Sequence, residues 1–315
     1  MAAGDRAPDT ARARLAVAGA RAGTAATLGR TDRGERARGL IFLALLVLAV
    51  TFALTGLGAL LVWAGIEGAP RLSLELFTAG PSSLSPETAG YRTAILGTLY
   101  VIGGVILLIV PIGVGAAIYL EEYADRRHWW NRFVELNVQN LAGVPSIVYG
   151  ILGLAFIVRG PASFGFVAAA GSATLALLVL PTVILASREA IRAVPSSVRE
   201  GALALGATQW QTIRRQVLPA AIPGVLTGVI LAVARAIGEA APLLLVGAVT
   251  FVTVDPSFFE GGYSTLPVQI FNYATRPQEV FQVLAAAGVI VMLVVLLAMN
   301  SFAIWLRNRY ERQFS

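Results

Sequence analysis

Residues 199–219, REGALALGATQWQTIRRQVLP, form a short polar interval between two long apolar runs. The pattern predicts two small helices joined by a glycine turn. Ser197 and Glu200 have the spacing of a capping box, and Thr208 and Gln211 repeat it. Gly206 stands where the first helix should end, and Pro219 is expected to close the second. Val198, Ala202 and Leu205 fall on one face of the first helix, and Trp210, Ile213 and Val217 on one face of the second. An apolar face on so short a connection needs a cover. Two covers fit: the bilayer surface together with the chain's own body, or a soluble partner into which the elbow plugs.

Working outward, the 315 residues are 57% hydrophobic and only 13% charged. Such a chain is too apolar for a soluble domain and is read as an all-α polytopic membrane protein. Six apolar runs are expected to be spans: 40–66, 93–119, 138–158, 167–187, 220–249 and 283–306. Prolines 111, 145 and 181 are expected to mark kinks. Residues 1–39, rich in Ala, Gly, Thr and Arg, read as a disordered cytoplasmic tail. No small-residue cleavage site follows the first apolar run, so a cleaved signal peptide is not expected.

The basic residues are all arginine, and they set the orientation. With both termini inside, segments 1–39, 120–137, 188–218 and 307–315 hold nearly all of them, leaving Arg71, Arg92, Arg159 and Arg276 outside. The net charge of +6 is explained by membrane topology, because the arginines flank apolar runs. A nucleic-acid partner is therefore not expected. The chain has no cysteine and one histidine, His128 in a charged loop, so no metal set is expected. Without lysine, a phosphate-binding Gly-rich loop ending in Lys-Ser/Thr cannot be built.

Arg235 and Glu239 are the clear ionisable pair within an apolar span, four residues apart and hence on one helix face. Counting from Gly224, Arg235 lies about 16 Å into a slab about 30 Å thick. A charge there costs at least about 2.5–3.5 kcal/mol. Either the pair neutralises itself and fixes helix packing, or it lines a watery path. Gly238 and Pro242 flank it and are expected to loosen the helix.

Glu200, Ala202, Gly206, Leu218 and Pro219 match in register the coupling loop of ABC-importer permeases: Glu-Ala-Ala, three residues, Gly, nine residues, Ile-x-Leu-Pro. Gly201 stands for the middle Ala and Gln216 for Ile. Three further stretches resemble the phosphate-specific importer permeases: 97–124, 141–156 (LAGVPSIVYGILGLAF) and 235–248 (RAIGEAAPLLLVGA). Residues 238–244 resemble the PstA-like subunit rather than its PstC-like partner, with Ala240 where the commoner form has Thr. The resemblance covers about residues 40–312.

It implies a six-helix MetI-like permease fold with cytoplasmic coupling helices in the bacterial inner membrane. It also implies a complex with a PstC-like permease, a cytoplasmic ATPase dimer and an extracytoplasmic phosphate-binding protein, embedded in membrane lipids. ATP and Mg would be bound by the ATPase, and this chain would hold no cofactor and not be an enzyme. By the same resemblance, Glu200, Gly201, Ala202, Gly206, Leu218 and Pro219 couple to the ATPase, and Arg235 and Glu239 line the phosphate path. The rivals are a permease for molybdate or sulfate, an ion-coupled secondary transporter and an intramembrane enzyme.

Overall fold

The computed structural model describes residues 33–314 apart from 84, 126 and 249–251. Residues 1–32 of the expected tail lie outside the described residues. The chain divides into two units, one ending at Val62 and the other running from Trp63. The boundary falls inside helix α1, Arg33–Gly68, which begins seven residues before the expected span at Leu40.

Within the second unit a short helix, α2 (Leu74–Thr78), precedes α3 (Arg92–Ile118). A widened turn, Tyr119–Tyr123, prolongs α3. Next come α4 (Trp129–Ala142), α5 (Ser146–Leu152) with a widened extension to Val158, and α6 (Ala168–Arg192). The elbow consists of α7 (Ser196–Ala204), α8 (Gln209–Thr212) and a widened turn, Ile213–Val217. It feeds α9 (Leu218–Gly238), and then α10 (Ala241–Leu245), α11 (Leu266–Ala274) and α12 (Glu279–Phe314) complete the chain. Among the described residues, the β contact outside helices is a single bridge between Ala248 and Tyr263.

Five helices are long and apolar enough to cross a membrane, and α4 with α5 makes a sixth if that bent pair counts as one span. The expected span over 138–158 is not one kinked helix: α4 begins earlier, at Trp129, and the chain bends by 109° where α4 gives way to α5. α4 ends at Ala142, and Pro145, which lacks an N–H and disfavours helical geometry at Val144, stands outside α5 with extended ψ of 138°. By contrast, α3 and α6 continue through Pro111 and Pro181. The expected fifth span, 220–249, differs at both ends. Its helix runs back without a break to Gln209 and stops at Gly238.

α6 is the centre of the second unit. Its most apolar window is 72% buried, against 39% for α3, 33% for α9 and 39% for α12. Val105 and Ile109 of α3, Leu175, Val179 and Val183 of α6, and Ala232, Val233 and Ala236 of α9 share one core. Small residues let the backbones close. A Cβ at Gly228 of α9 would overlap that of Ala186, and one at Gly224 would come within 2.6 Å of the Ala190 Cβ. Without a strong hydrophobic force between helices in lipid, such close packing is what holds them.

Around the end opposite the elbow, Leu76, Tyr91, Leu266, Tyr273 and Phe281 form a second core. There the Tyr91 hydroxyl donates to the Leu284 carbonyl at 2.9 Å. Ala117, Ile191, Val194, Val217, Ala221 and Val225 form a third core beneath the elbow.

Gly228→Val should push α6 and α9 apart and cost about 1–3 kcal/mol. Gly103 of α3 has open space where its Cβ would be, so Gly103→Ala should instead gain up to about 1 kcal/mol. Thermal unfolding of the detergent-purified protein reads both signs, and a shift of equal sign and size for the two would contradict this packing.

Candidate functional site

The elbow begins where Pro195 hands helical geometry to Ser196. Ser197 is thus already inside the first turn of α7, and the capping box expected from Ser197 and Glu200 does not form. The second box does form: Gln211 N–H donates to Thr208 Oγ1 at 3.3 Å, and Thr208 N–H donates to Gln211 Oε1 at 2.9 Å. Between them the chain reverses at Gly206, with φ of +82°. Gly206 N–H donates to the Leu203 carbonyl at 3.0 Å and Ala207 N–H to the Ala202 carbonyl at 3.1 Å. This pair of bonds is a Schellman cap, which satisfies the last carbonyls of α7 and needs a residue content with positive φ.

Pro219 does not close the second helix, as its position had suggested. It sits in the first turn of α9, and the helix runs on through it. Its ring crowds the carbonyl four residues back, and it has no N–H to bond that carbonyl. The turn Ile213–Val217 absorbs this by widening, with Leu218 N–H bonding the Ile213 carbonyl.

The two expected apolar faces divide differently in space. Ile213 and Val217 are buried, and Val198 and Ala202 are half-buried. Leu205 is 91% exposed, and Leu203 and Trp210 are exposed beside it. Glu200 and Gly201 are exposed too, while Leu218 and Pro219 are half-buried where the elbow enters α9.

Charged groups fasten the elbow to the bundle. Arg199 on α7 places Nη2 2.7 Å and Nε 3.0 Å from Glu122 Oε1. The same guanidinium donates to the Val194 carbonyl at 2.7 Å and the Ile191 carbonyl at 2.9 Å. Arg192 grips both oxygens of Glu121 at 3.1 and 3.0 Å. Arg188, 4% exposed, lies 3.0 Å from Glu135 and 3.5 Å from Glu121. The one signal in the sequence was Arg188 and Arg192 on one helix face, with Glu121-Glu122 in a separate loop.

Arg235 and Glu239 lie together as their spacing predicts. Arg235 Nε is 3.4 Å from Glu239 Oε1, a long single contact between side chains 45% and 20% exposed. Arg235 is in the last turn of α9, and Glu239 has left the helix with extended backbone. A cation there also faces the negative end of the helix dipole. Pro242, in the first turn of α10, approaches Gly150 of α5 so closely that a Cβ on Gly150 would lie 2.7 Å from the Pro242 Cα. The break beside the charge pair is therefore backed by protein, and Glu239 N–H still donates to the Ala236 carbonyl at 3.3 Å. By helix rise the pair stands about 25 Å along α9 from Leu218, so the elbow and the charge pair are two sites on one helix.

Residues 109–313 match the family described as binding-protein-dependent transport system inner membrane component. The chain belongs to this family. It is 36% identical over 221 residues to phosphate transport system permease protein PstA 1 of Mycobacterium tuberculosis (strain ATCC 25618 / H37Rv), covering 69% of this chain and 70% of that protein. It is 34% identical over 273 residues to phosphate transport system permease protein PstA of Yersinia pestis, covering 85% and 90%. Among solved structures, a bacterial alginate ABC transporter in complex with an alginate pentasaccharide-bound periplasmic protein aligns over 86% of this chain and 94% of that one. Its TM-score is 0.61 at 16% identity. An inward-facing form of the MetNI methionine ABC transporter aligns with a TM-score of 0.54, also at 16% identity, over 68% of this chain and 91% of that one. These likenesses support the MetI-like permease fold.

The family's inner membrane component is the transport subunit, not the ATPase. Both the elbow and the Arg235–Glu239 pair fall inside the matched range.

For this permease, the elbow's two glycines should respond with opposite sign. Gly206→Ala meets no neighbour but forces a side chain into positive φ, costing about 1–2 kcal/mol. Gly201→Ala fills open space in mid-helix and should gain about 1 kcal/mol. Hydrogen exchange of the α7 amides should accelerate in the first and slow in the second.

Proposed function

We propose that this chain is the PstA-like permease subunit of an ATP-driven phosphate importer in the bacterial inner membrane, with both termini cytoplasmic. The likeness to PstA proteins, 34% identity over 85% of this chain, carries the reading of substrate. It pairs with a PstC-like permease, docks on a cytoplasmic ATPase dimer and receives phosphate from an extracytoplasmic binding protein. ATP and Mg stay on the ATPase.

The uncovered Leu203, Leu205 and Trp210 suit an apolar socket on the ATPase. Glu200, Gly201, Ala202 and Gly206 shape this plug, and Leu218 and Pro219 join it to α9. Closure of the ATPase dimer then moves the elbow, and α9 swings with it because helix and elbow are continuous from Gln209. Swinging α9 alternates the side from which the path opens.

Arg235 offers the anion a positive site in that path, and Glu239 competes for the same guanidinium. An unopposed cation in a low-dielectric site would hold phosphate too long for release. The single 3.4 Å contact and the exposure of Arg235 suit a pair that opens for a ligand.

The test is co-purification of the four-subunit membrane complex, followed by ATP-dependent phosphate uptake in proteoliposomes with binding protein supplied. Unlabelled molybdate and sulfate serve as competitors. Uptake displaced by either oxyanion, or proceeding without ATP under an ion gradient, would overturn the reading.

Arg235→Gln should cut uptake by tenfold or so while leaving assembly, ATPase docking and phosphate capture by the binding protein intact. Full uptake by this variant would remove Arg235 from the path. Leu205→Glu should weaken ATPase recovery by about tenfold, the usual cost of charging a buried apolar anchor, without unfolding an elbow that leaves this side chain free.

A further inference from the structure

The elbow is covalently continuous with α6 on one side and α9 on the other. α3 is not: Glu122, at its end, and Arg199 are 77 residues apart in sequence. What brings α3 to the elbow is a buried apolar contact and a set of ionic ties. Ala117 shares a core with Ile191, Val194 and Val217, but apolar contact is non-directional and resists sliding poorly. The ionic ties have direction. Arg199 is forked between the Glu122 carboxylate on one side and the Ile191 and Val194 carbonyls at the end of α6 on the other. Gln209 of α8 adds a bond from Nε2 to the Glu122 backbone carbonyl at 2.7 Å. Arg192 and Arg188 continue the set through Glu121 and Glu135 to α4.

Glu122 side-chain exposure is 9% and that of Glu121 is 7%. Such groups are shielded from salt and water, so their geometry is held more firmly than that of surface pairs. On the outward side of the same elbow, Leu205 is almost fully exposed. One side of α7 is thus free, and the other is tied through Arg199 to the ends of α3 and α6.

We propose that the Glu122–Arg199 link is the transmission of this permease: it makes α3 move as one body with the elbow, α6 and α9, so that a push on the elbow reshapes the path instead of pivoting α7 on its short linkers. This rests on the reading that an ATPase grips the elbow. Glu122 and Arg199 are positioning residues and touch no substrate.

The experiment uses the assembled transporter in proteoliposomes with binding protein, phosphate and ATP. Glu122→Gln removes the carboxylate charge but keeps the carbonyl that Gln209 binds and the carbonyls that Arg199 caps. ATP hydrolysis should persist while phosphate uptake per ATP falls by about fivefold, the lower range of energetic coupling between sites. A merely structural role would lower recovery of the complex and leave that ratio unchanged.

The absence of cysteine in the chain allows a direct readout. Spin labels on Tyr123→Cys and Ser197→Cys, with the other subunits cysteine-free, should give one distance with and without ATP when Glu122 is present. The distance should spread on ATP binding in Glu122→Gln. If Glu122→Gln assembles poorly, the double variant Glu122→Gln/Arg199→Gln, which leaves no unpaired charge from this link, replaces it with the same expectation. Unchanged uptake per ATP with an unchanged label distance overturns the transmission. Failure of the unmodified chain to hold the ATPase overturns instead the docking on which it rests.

Discussion

Arg188, Arg192 and Arg199 are held against Glu121, Glu122 and Glu135 at the end of the bundle, and the arrangement of α3, α4, α6 and α7 there depends on this set. The energetics of such a set are asymmetric. Compared with well-packed apolar residues, a buried ion pair contributes little net stability. Removing one partner leaves a buried charge without compensation, at about 3–5 kcal/mol. The cluster therefore acts mainly on register: it penalises any arrangement in which these helix ends slide past one another. Arg199 adds a second role by donating to the Ile191 and Val194 carbonyls where α6 ends.

Between α6 and α9 the constraint is shape rather than charge. The α6–α9 seam is made of Gly224 and Gly228 on one side and Ala186 and Ala190 on the other. Such a seam gives close contact with little side-chain interlocking. Together with the continuity of α8 and α9 through a widened turn, it lets α9 respond as a rod over about 25 Å between Leu218 and Arg235. The rod ends at Gly238, where a loosely paired arginine and glutamate stand beside the break.

The two breaks in apolar sequence, at Pro145 and at Glu239, meet each other: α5 starts after one, α10 after the other, and Gly150 lies against Pro242. Irregular backbone at membrane depth is tolerated where protein or a cavity covers it. Their contact supplies such cover to both breaks. It also puts the charge pair at a place where helix geometry has been relaxed on both sides.

Composition and pattern alone determined that this is an apolar, all-helical chain, where its apolar runs lie, that Gly206 turns the elbow and that Thr208 and Gln211 cap its second helix. These are local matters of period, backbone freedom and side-chain reach. The i, i+4 spacing likewise placed Arg235 beside Glu239. Tertiary structure alone decided which apolar side chains of the elbow face inward, Ile213 and Val217, and which stand free, Leu205 and Trp210. It also decided that Pro145 breaks a span while Pro111 and Pro181 do not, and that Pro219 continues a helix it was expected to end. The reason is the same throughout. Whether a proline kinks or breaks a helix, and whether a charge is free or clamped, depends on what packs against it from residues tens of positions away. No local window contains Glu122 and Arg199 together.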